Sequence, residues 1–352
     1  MKAKHLFIAD LHKKVKNILG KMLFMNKKEN FEYYIDKVRF SLRKIENLKI
    51  DVDAEYLKRG VFIVGSGKSG TTLMQALFDF HPNLLTLPVE TRLYFNKNII
   101  FNLKSKSKLV KYLLYNTNLK WFSYKIYNKH SLEKFRDFSK INYQMFKRII
   151  HSLNGSKKDL PCIFRYVCEA YRKAVGYKIK NIFSFVEKTP IHMFYIDTIV
   201  KDFPNAKIIH ILRDPLDNYY AYQKKQFKKK QNKKKETFLK THFDKIIMKS
   251  FEIAINYQDN QNYKIVKYED IIRNTKEEMY DLSNFIGVTF DESLLDVTIC
   301  GNNWLGNSSS GKELKGISKE RIGIGERYVS EIEKNYIRNQ IGSLENQFGY
   351  FQ

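Results

Sequence analysis

Residues 60–82 carry an apolar run, a glycine-rich loop and a helical pattern in direct succession, and this order constrains the fold more than any other feature. The run GVFIVG at 60–65 is short and bounded by glycines, as in a strand buried in a parallel sheet. The stretch TTLMQALFDFHP at 71–82 has apolar residues at helical spacing and ends at a proline. This order directs backbone N–H groups and the N-terminus of a helix at a bound phosphate.

Three further apolar segments extend the pattern along the chain. Strands are predicted at IFSFVEK (182–188), AKIIHILR (206–213) and YKIVKYED (263–270), and helix-like sequence separates each from the next. Alternating strands and helices predict an α/β fold of three layers, with a P-loop-like, mainly parallel sheet flanked by helices.

Residues 93–180 are aromatic-rich and basic, with a helical pattern and few glycines or prolines. We interpret them as a helical insertion at the carboxyl edge of the sheet, where open α/β folds bind ligands. We find no internal repeat and no long flexible linker in the sequence. We therefore predict a basic helical N-terminal extension over residues 1–55 and one domain over residues 56–352.

The charge of the chain narrows the range of partners. Lysine and arginine number 63 against 37 acidic residues, and the formal charge of +26 favours nucleotides, nucleic acid, acidic glycans or lipid surfaces. Hydrophobic residues make up 43% of the chain, which is enough for a packed core and excludes a disordered protein.

The N-terminus and the cysteines bear on the compartment. Apolar residues alternate with lysines over residues 1–28, and no apolar run reaches the roughly 18 to 20 residues that a membrane span needs. We interpret this stretch as a basic amphipathic helix packed on the domain, with weak membrane-surface contact as the alternative. Cys162, Cys168 and Cys300 lack the paired spacing of a zinc site, so we predict neither a metal nor a disulfide framework. A cytoplasmic protein is expected.

The loop VGSGKSGTTL at 64–73 departs from the commonest nucleotide-binding loop. A Walker loop, G-x-x-x-x-G-K-[ST], needs a glycine at position 62, where Phe62 stands. Aligned on its other glycine, the loop lets the backbone approach a ligand closely and puts two threonine hydroxyls in the first helical turn, with a lysine inside the loop. This arrangement suits the 5′ anion of a nucleotide. The predicted binding residues are Gly67, Lys68, Ser69, Gly70, Thr71 and Thr72.

The segment KSGTTLMQALFDFHPNL (68–84) resembles the 5′-phosphosulfate loop of sulfotransferases that use 3′-phosphoadenosine 5′-phosphosulfate (PAPS), above all in the protein-tyrosine and glycan branch. The match extends to Asp79, His81 and Pro82. It implies a sulfotransferase domain that transfers a sulfuryl group from the co-substrate PAPS to a sugar or tyrosine hydroxyl by in-line displacement, without a metal. It also implies that the insertion at 93–180 lies on the acceptor side.

A second motif, IIHILRDPLDNYYAYQ, begins at the end of a predicted strand. Arg213 can hold a phosphate through its planar set of donors, and the resemblance implies that it binds the 3′-phosphate of PAPS. The family pattern has a serine eight residues after this arginine, whereas this chain has Ala221, which removes a hydroxyl contact. A structural cap is the alternative interpretation of the Arg-Asp-Pro stretch.

Lys188 and Glu90 complete the predicted catalytic set with Lys68. Lys188 follows a predicted strand in VEKTP, and with Lys68 it is suited to stabilise charge on the departing nucleotide. Glu90, in VETR, matches the catalytic base of tyrosine sulfotransferases with one position inserted. We expect burial to raise the pKa of Glu90 toward the working range. Pairing with Arg92 or helix capping is the alternative role of this glutamate.

Two segments near the C-terminus complete the predicted donor site. Tyr268 lies in VKYED and resembles a tyrosine that reaches the 3′-phosphate end of the nucleotide. In WLGNSSSGK, Ser308 and Lys312 resemble the last cofactor segment, although a solvent-exposed loop explains that composition nearly as well.

The acceptor is predicted to be a glycan or an acidic peptide, since an aromatic and basic insertion suits both. No specific nucleic acid partner is expected. Two alternatives stay open: a nucleic-acid-binding protein that uses its basic surface, including the lysine-rich run 224–235, or a nucleotide-dependent kinase.

Overall fold

The computed structural model describes residues 50–123, 126–127, 136–154, 159–175, 181–227, 239–304, 306 and 317–350. The predicted N-terminal helix, most of the lysine-rich run, Ser308 and Lys312 lie outside these residues.

Five parallel strands form the central sheet, in the order β2-β5-β1-β6-β7. All three further strands predicted from the sequence are present, and the short β2 adds one edge. The strands are β1 Gly60–Gly65, β2 Leu84–Thr86, β5 Ser184–Lys188, β6 Lys207–Leu212 and β7 Tyr263–Lys267. Two short antiparallel pairs lie outside the sheet, β3 Ile126–Tyr127 with β4 Arg136–Asp137 and β8 Thr298–Ile299 with β9 Asn302–Asn303.

Helices cover the sheet and connect its strands. The α-helices are α1 Thr71–Phe78, α2 Lys97–Phe101, α3 Lys106–Asn116, α4 Tyr143–His151, α5 Leu160–Ala174, α6 Ile196–Asp202, α7 Pro215–Phe227, α8 Lys249–Tyr257, α9 Tyr268–Arg273, α10 Thr275–Ile286, α11 Ile324–Tyr328 and α12 Glu331–Phe348. A π-helix spans Leu239–Met248, and 3-10 helices span Glu55–Leu57, Asn118–Ser123, Pro190–Tyr195, Glu292–Leu295 and Lys319–Arg321.

Strand β1 lies at the centre of the sheet, and all six of its residues are buried. Its alternate side chains point to opposite faces, as in any strand. On one face, Phe62 packs against Phe164, Phe185 and Phe203 with ring centroids 5.6 to 5.7 Å apart. On the other face, Val61 and Ile63 belong to the core that includes α1 and α10. A sheet buried on both faces makes the three layers that the sequence predicts, so the α/β prediction is confirmed.

The described part of the predicted insertion, residues 93–180, is mainly helical and contains α2 to α5. Asp159 begins α5 by accepting a hydrogen bond from the backbone N–H of Cys162, as expected of an N-terminal cap. The buried side chains of α3, α4 and α5 join the core on the Phe62 face of the sheet.

The carboxyl ends of β1, β5 and β6 lead directly into the loop at 66–70, into Thr189 and into Arg213. Parallel strands present these ends at the same edge, which is where open α/β sheets bind ligands. Within the described ranges, no helix combines the length and apolarity needed to cross a bilayer.

Candidate active site

The loop after β1 depends on backbone conformations that favour glycine. Gly65 and Gly70 have φ values of 144° and 105°. A Cβ atom on Gly70 would lie 2.4 Å from Cδ2 of Tyr268, and one on Gly65 would lie 2.5 Å from the carbonyl oxygen of Ile211. Lys68 also has a positive φ, 73°, which is uncommon for a residue with a side chain and concentrates at functional sites.

Hydrogen bonds from side chains hold the loop in this shape. The Ser69 hydroxyl donates to the carbonyl of Ser66 at 2.8 Å, and Asn218 of α7 donates to the Ser66 hydroxyl at 2.7 Å. Ser69 is fully buried, so its hydroxyl supports the loop. The donor contact predicted for Ser69 stays a prediction.

A cleft of about 370 Å³ opens at the carboxyl edge of the sheet. It brings together most of the residues predicted from the sequence, which come from four separate segments. These are Gly67, Lys68, Gly70, Thr71, Thr72, Glu90, Arg213 and Tyr268.

Arg213 is anchored by backbone carbonyl groups on both sides. Its Nη1 donates to the carbonyl of Lys68 at 3.1 Å, and its Nη2 donates to that of Arg321 at 2.7 Å. The guanidinium also lies 4.5 Å from the ring centroid of Tyr268. Its buried Nε has no hydrogen-bond partner among the described residues. Lys68 and Arg213 thus share one cleft, as a single nucleotide held at both charged ends requires. We call Lys68, Arg213, Tyr268 and Arg321 the cationic end.

Glu90 is held by two cations. Lys188 Nζ donates to Glu90 Oε1 at 2.9 Å, while Arg92 donates to Oε2 from Nε at 3.1 Å and from Nη2 at 3.0 Å. Burial raises the pKa of Glu90, but the charges and hydrogen bonds of Lys188 and Arg92 outweigh it and bring the pKa to about 2. The expectation of a raised pKa is therefore wrong, because the sequence did not reveal that both cations contact the same carboxylate. Glu90 is an ionised carboxylate at neutral pH.

The side chain of Lys188 is only 1% exposed and lies directly against Glu90. Its role in stabilising a departing nucleotide stays a prediction, whereas its contact with the carboxylate is observed.

A buried polar network supports the segment that carries Glu90. The carboxylate of Glu187 accepts hydrogen bonds from the backbone N–H of Thr91 at 3.1 Å, from the Thr91 hydroxyl at 2.9 Å and from the Thr189 hydroxyl at 2.5 Å. His192 Nδ1 lies 3.1 Å from its other oxygen. Burial raises the pKa of Glu187, but these partners outweigh it and lower the pKa. The network ties the residues after β5 to the residue that follows Glu90.

Sequence reasoning missed Arg321, which lines the cleft beside Arg213. The backbone N–H groups of Gly323 and Gly325 donate to the carboxylate of Asp217 at 2.9 and 2.6 Å. A Cβ atom on Gly325 would lie 2.2 Å from the carbonyl carbon of Leu216. The glycine pair in RIGIG was the available signal, since it marks a close backbone approach that positions the preceding arginine.

Tyr222 and His242 also line the cleft and were not predicted. Their rings stack, and Cε2 of Tyr222 would lie 3.1 Å from a Cβ atom on Gly67. His242 belongs to the π-helix, and sequence periodicity does not predict this type of helix. Ala221, where the family pattern has serine, lines the same region of the cleft.

Several apolar side chains that line the cleft belong to segments next to Glu90. Asn118 Nδ2 donates to the carbonyl of Glu90 at 3.0 Å and so brings the 3-10 helix Asn118–Ser123 next to it. The 3-10 helix Pro190–Tyr195 begins two residues after Lys188. These elements and the turn after Arg92 supply the apolar end, which we define as Phe95, Trp121, Pro190, Ile191 and Met193.

No group of three or more histidine, cysteine, aspartate or glutamate side chains that could hold a metal occurs in the described part of the chain.

Comparison with solved structures finds matches at low identity. The chain is 16% identical to the sulfotransferase domain of the Synechococcus PCC 7002 olefin synthase, with 84% of this chain and 95% of that chain covered and a TM-score of 0.47. It is 14% identical to a sulfotransferase from Alicyclobacillus acidocaldarius, with 83% and 96% covered and a TM-score of 0.44. A retinol dehydratase structure in complex with retinol and PAP (3′-phosphoadenosine 5′-phosphate) is 13% identical, with 81% of each chain covered and a TM-score of 0.39.

The sequence itself matches a family model described as "Sulfotransferase family" over residues 60–292, which is more than half of the chain. The match includes the loop after β1, Glu90, Lys188, Arg213 and Tyr268. The chain therefore belongs to the sulfotransferase family and is an enzyme that transfers a sulfuryl group to a hydroxyl-bearing acceptor.

Proposed function

We propose that the cleft binds PAPS with its 5′-phosphosulfate at the loop after β1, which carries Lys68, and its 3′-phosphate at Arg213, Tyr268 and Arg321. The loop offers two glycines that allow close backbone approach and the N-terminus of α1, a combination suited to an anion. Arg213 supports the other half of the proposal, because its Nε is buried without a hydrogen-bond partner among the described residues. These residues fit a nucleotide that carries an anionic group at each end.

Arg321 and Ala221 refine the proposed 3′-phosphate site. Arg321 lines the cleft, and its backbone carbonyl accepts a hydrogen bond from Arg213. Its guanidinium is the proposed second phosphate donor that compensates for the hydroxyl that Ala221 lacks. The proposed contacts of Ser308 and Lys312 lie outside the described residues, and they remain part of the prediction.

PAPS supplies an activated sulfuryl group whose departure leaves negative charge on the bridging oxygen of the nucleotide. Lys68 is the proposed cation at that oxygen, because its loop places it in the cleft beside the helix N-terminus. Glu90 is the proposed base that accepts the proton of the acceptor hydroxyl. It is ionised at neutral pH, so the base form is the populated one, while the pKa of about 2 makes it a weaker base than a carboxylate with an ordinary pKa.

Lys188 is proposed to act with Lys68 on the departing charge, as the sequence pattern suggests. Its contact with Glu90 supports a second contribution, which is to orient the carboxylate toward the acceptor. The observation that carries the whole proposal is the single cleft shared by Lys68, Glu90 and Arg213.

The sequence predicts a glycan or an acidic peptide as the acceptor, and both are candidates for the proposed reaction. The division into an extension over residues 1–55 and a sulfotransferase domain over residues 56–352 is also proposed, with weak membrane-surface contact through the extension and a cytoplasmic location.

Titration of the purified protein with PAP, ATP and duplex DNA tests the donor proposal. Binding of PAP alone is expected, and Arg213→Gln should weaken it by about tenfold or more through loss of a charged contact. Glu90→Gln should keep the affinity for PAP but lower kcat for sulfuryl transfer by about 10² to 10⁴. DNA binding with a steep salt dependence and no response to PAP contradicts the proposal.

A further inference from the structure

The two ends of the cleft differ in chemistry. The described cations that line it are Lys68, Arg213 and Arg321 at the cationic end and Arg92, which is paired with Glu90. The apolar end presents an indole, a phenyl ring, a thioether and an aliphatic chain. Among the described residues of the apolar end, a substrate that approaches Glu90 contacts carbon, and the guanidinium of Arg92 is the charge beside the carboxylate.

The hydrogen bonds around Glu90 show that the apolar end adjoins the proposed base. Asn118 donates to the backbone of Glu90 and lies three residues before Trp121 on the same 3-10 helix. Lys188 donates to the Glu90 carboxylate and lies three and five residues before Ile191 and Met193. Trp121, Ile191 and Met193 therefore belong to the two segments that donate hydrogen bonds to Glu90.

The elements that carry the apolar end, and the neighbouring α2, also have exposed large apolar side chains. Phe95 lines the cleft and is 44% exposed. Phe194, from the 3-10 helix that carries Met193, is 41% exposed, and Ile99 of α2 is 51% exposed. Large apolar side chains left exposed around a pocket are a mark of a binding surface.

An acidic glycan or an acidic peptide needs cationic or hydrogen-bonding partners for each of its charges, and burying such a charge without one is costly. The apolar end offers aromatic and aliphatic faces instead. Apolar ligands gain free energy in proportion to the area that such faces remove from water. The described residues of the apolar end thus disfavour charge in the part of the acceptor that packs against them.

We propose that the acceptor is an uncharged apolar hydroxyl compound, either a phenol or an alkyl alcohol, whose ring or chain packs on Trp121 and Phe95 while its hydroxyl lies at Glu90. This inference rests on the proposed donor site and adds the acceptor class to it. Transfer forms the bond between the acceptor oxygen and sulfur, breaks the bond between sulfur and the bridging oxygen of the nucleotide, and moves the hydroxyl proton to Glu90.

The chain contains two tryptophans, Trp121 and Trp304, and both line the cleft. In Trp304→Phe, tryptophan emission, excited selectively over that of the tyrosines, therefore comes from Trp121 alone. Titration of the PAP-bound variant with 1-octanol, which does not fluoresce, should shift this emission to shorter wavelength as the alcohol replaces water. An acidic tyrosine peptide or a heparosan oligosaccharide should leave the emission unchanged.

Turnover provides the second measurement. With labelled PAPS, kcat/KM should be at least about tenfold higher for 2-naphthol and 1-octanol than for the oligosaccharide or the peptide. Trp121→Ala and Phe95→Ala should raise KM for 2-naphthol by about tenfold and leave PAP affinity unchanged, which also shows that the variants fold. Tyr280→Ala, at a 54% exposed aromatic residue outside the cleft lining, is the matched control and should change neither value.

Preferential turnover of the oligosaccharide or the peptide overturns the proposed acceptor class, as does an unchanged KM in Trp121→Ala. So does the absence of transfer to naphthol and octanol by a protein that binds PAP. Failure to bind PAP counts instead against the proposed donor site, so the two failures are distinguishable.

Discussion

At the cationic end of the cleft, two backbone carbonyls fix Arg213, and hydrogen bonds of Ser69 and Asn218 fix the loop after β1. At the apolar end, the side chains come from short 3-10 helices and a turn. The first arrangement depends on hydrogen bonds and glycine conformations that tolerate little change. The second depends on apolar area, to which several side chains contribute in parallel. Single substitutions should therefore cause a large loss of ligand affinity at the cationic end and a smaller loss at the apolar end.

Gly70→Ala should produce the largest change, confined to the donor. The new Cβ would lie 2.4 Å from the Tyr268 ring at a φ of 105°, so the ring that covers Arg213 must move. We expect PAP affinity to fall by about 100-fold, from backbone strain of roughly 1–3 kcal/mol and the displaced ring. Calorimetric titration measures it.

Gly287→Ala is the matched control. Gly287 also has a positive φ, 87°, but it ends α10 and does not line the cleft. This variant should lose stability and keep its affinity for PAP. An equal loss of PAP affinity in both variants would remove the argument for a close approach at Gly70.

Lys188→Met tests how the cation that contacts Glu90 controls the pKa of this carboxylate. Among the interactions that lower the pKa of Glu90, the charge of Lys188 is the largest, so its removal should raise that pKa from about 2. In the parent enzyme, protonation of Glu90 should cause no fall in kcat/KM between pH 8 and pH 5. In the variant, kcat/KM should rise with pH over part of this range as Glu90 loses its proton.

Arg92→Gln removes the other cation, which is half exposed and contributes less, and so should shift the profile less than Lys188→Met. A uniform loss of activity at every pH in Lys188→Met would instead support a direct effect of Lys188 on the departing nucleotide.

Asp214→Asn tests whether the buried carboxylate next to Arg213 lowers the free energy of unfolding. Burial, with the nearby carboxylates of Asp217 and Glu269, raises the pKa of Asp214 to about 7. Since this pKa lies above that of the unfolded chain, the folded state binds the extra proton between about pH 4 and 7, and stability falls as pH rises through this window. Asparagine keeps an acceptor for the Asp217 backbone N–H and removes the charge.

We expect Asp214→Asn to raise the free energy of unfolding at pH 8 by about 1–2 kcal/mol and by less at pH 5.5, measured by urea denaturation. Asp259→Asn, at an exposed position, should have no such effect. A gain of the same size at both pH values would contradict the assignment to Asp214.

Ala221→Ser should have the smallest effect, and its sign is a gain. Ala221 lines the cleft where the family pattern places a hydroxyl. One added hydrogen bond of about 0.5–1.5 kcal/mol corresponds to a roughly two- to tenfold increase in PAP affinity. Ala221→Val adds volume without a hydroxyl and should not strengthen binding. Equal behaviour of the two variants would mean that this position does not face the 3′-phosphate.

The parts of the site that could be predicted are those in which local sequence and chemistry coincide. The loop from Gly65 to Gly70 was recognisable because an anion site built from backbone N–H groups needs glycines at set positions. Arg213 was recognisable because it follows a buried strand and precedes a helix that begins with proline. Strand order brought both to the same edge of the sheet.

The parts that could not be predicted depend on contacts between distant segments. Glu90 was expected to have a raised pKa, but Lys188, 98 residues away, pairs with it and reverses the direction. Arg321 reaches the cleft because the glycines after it contact Asp217, more than 100 residues earlier. His242 was missed because a π-helix has no clear periodic signature.

The sequence by itself determined the α/β class, the anion-binding loop and the family, because phosphate recognition uses backbone conformations that only particular residues adopt in a fixed order. Only the tertiary structure decided the protonation of Glu90 and the apolar surroundings of the acceptor. Apolar side chains are interchangeable along the chain, and whether Trp121 or Met193 lies in a core or in a cleft is settled by how its segment packs against the others.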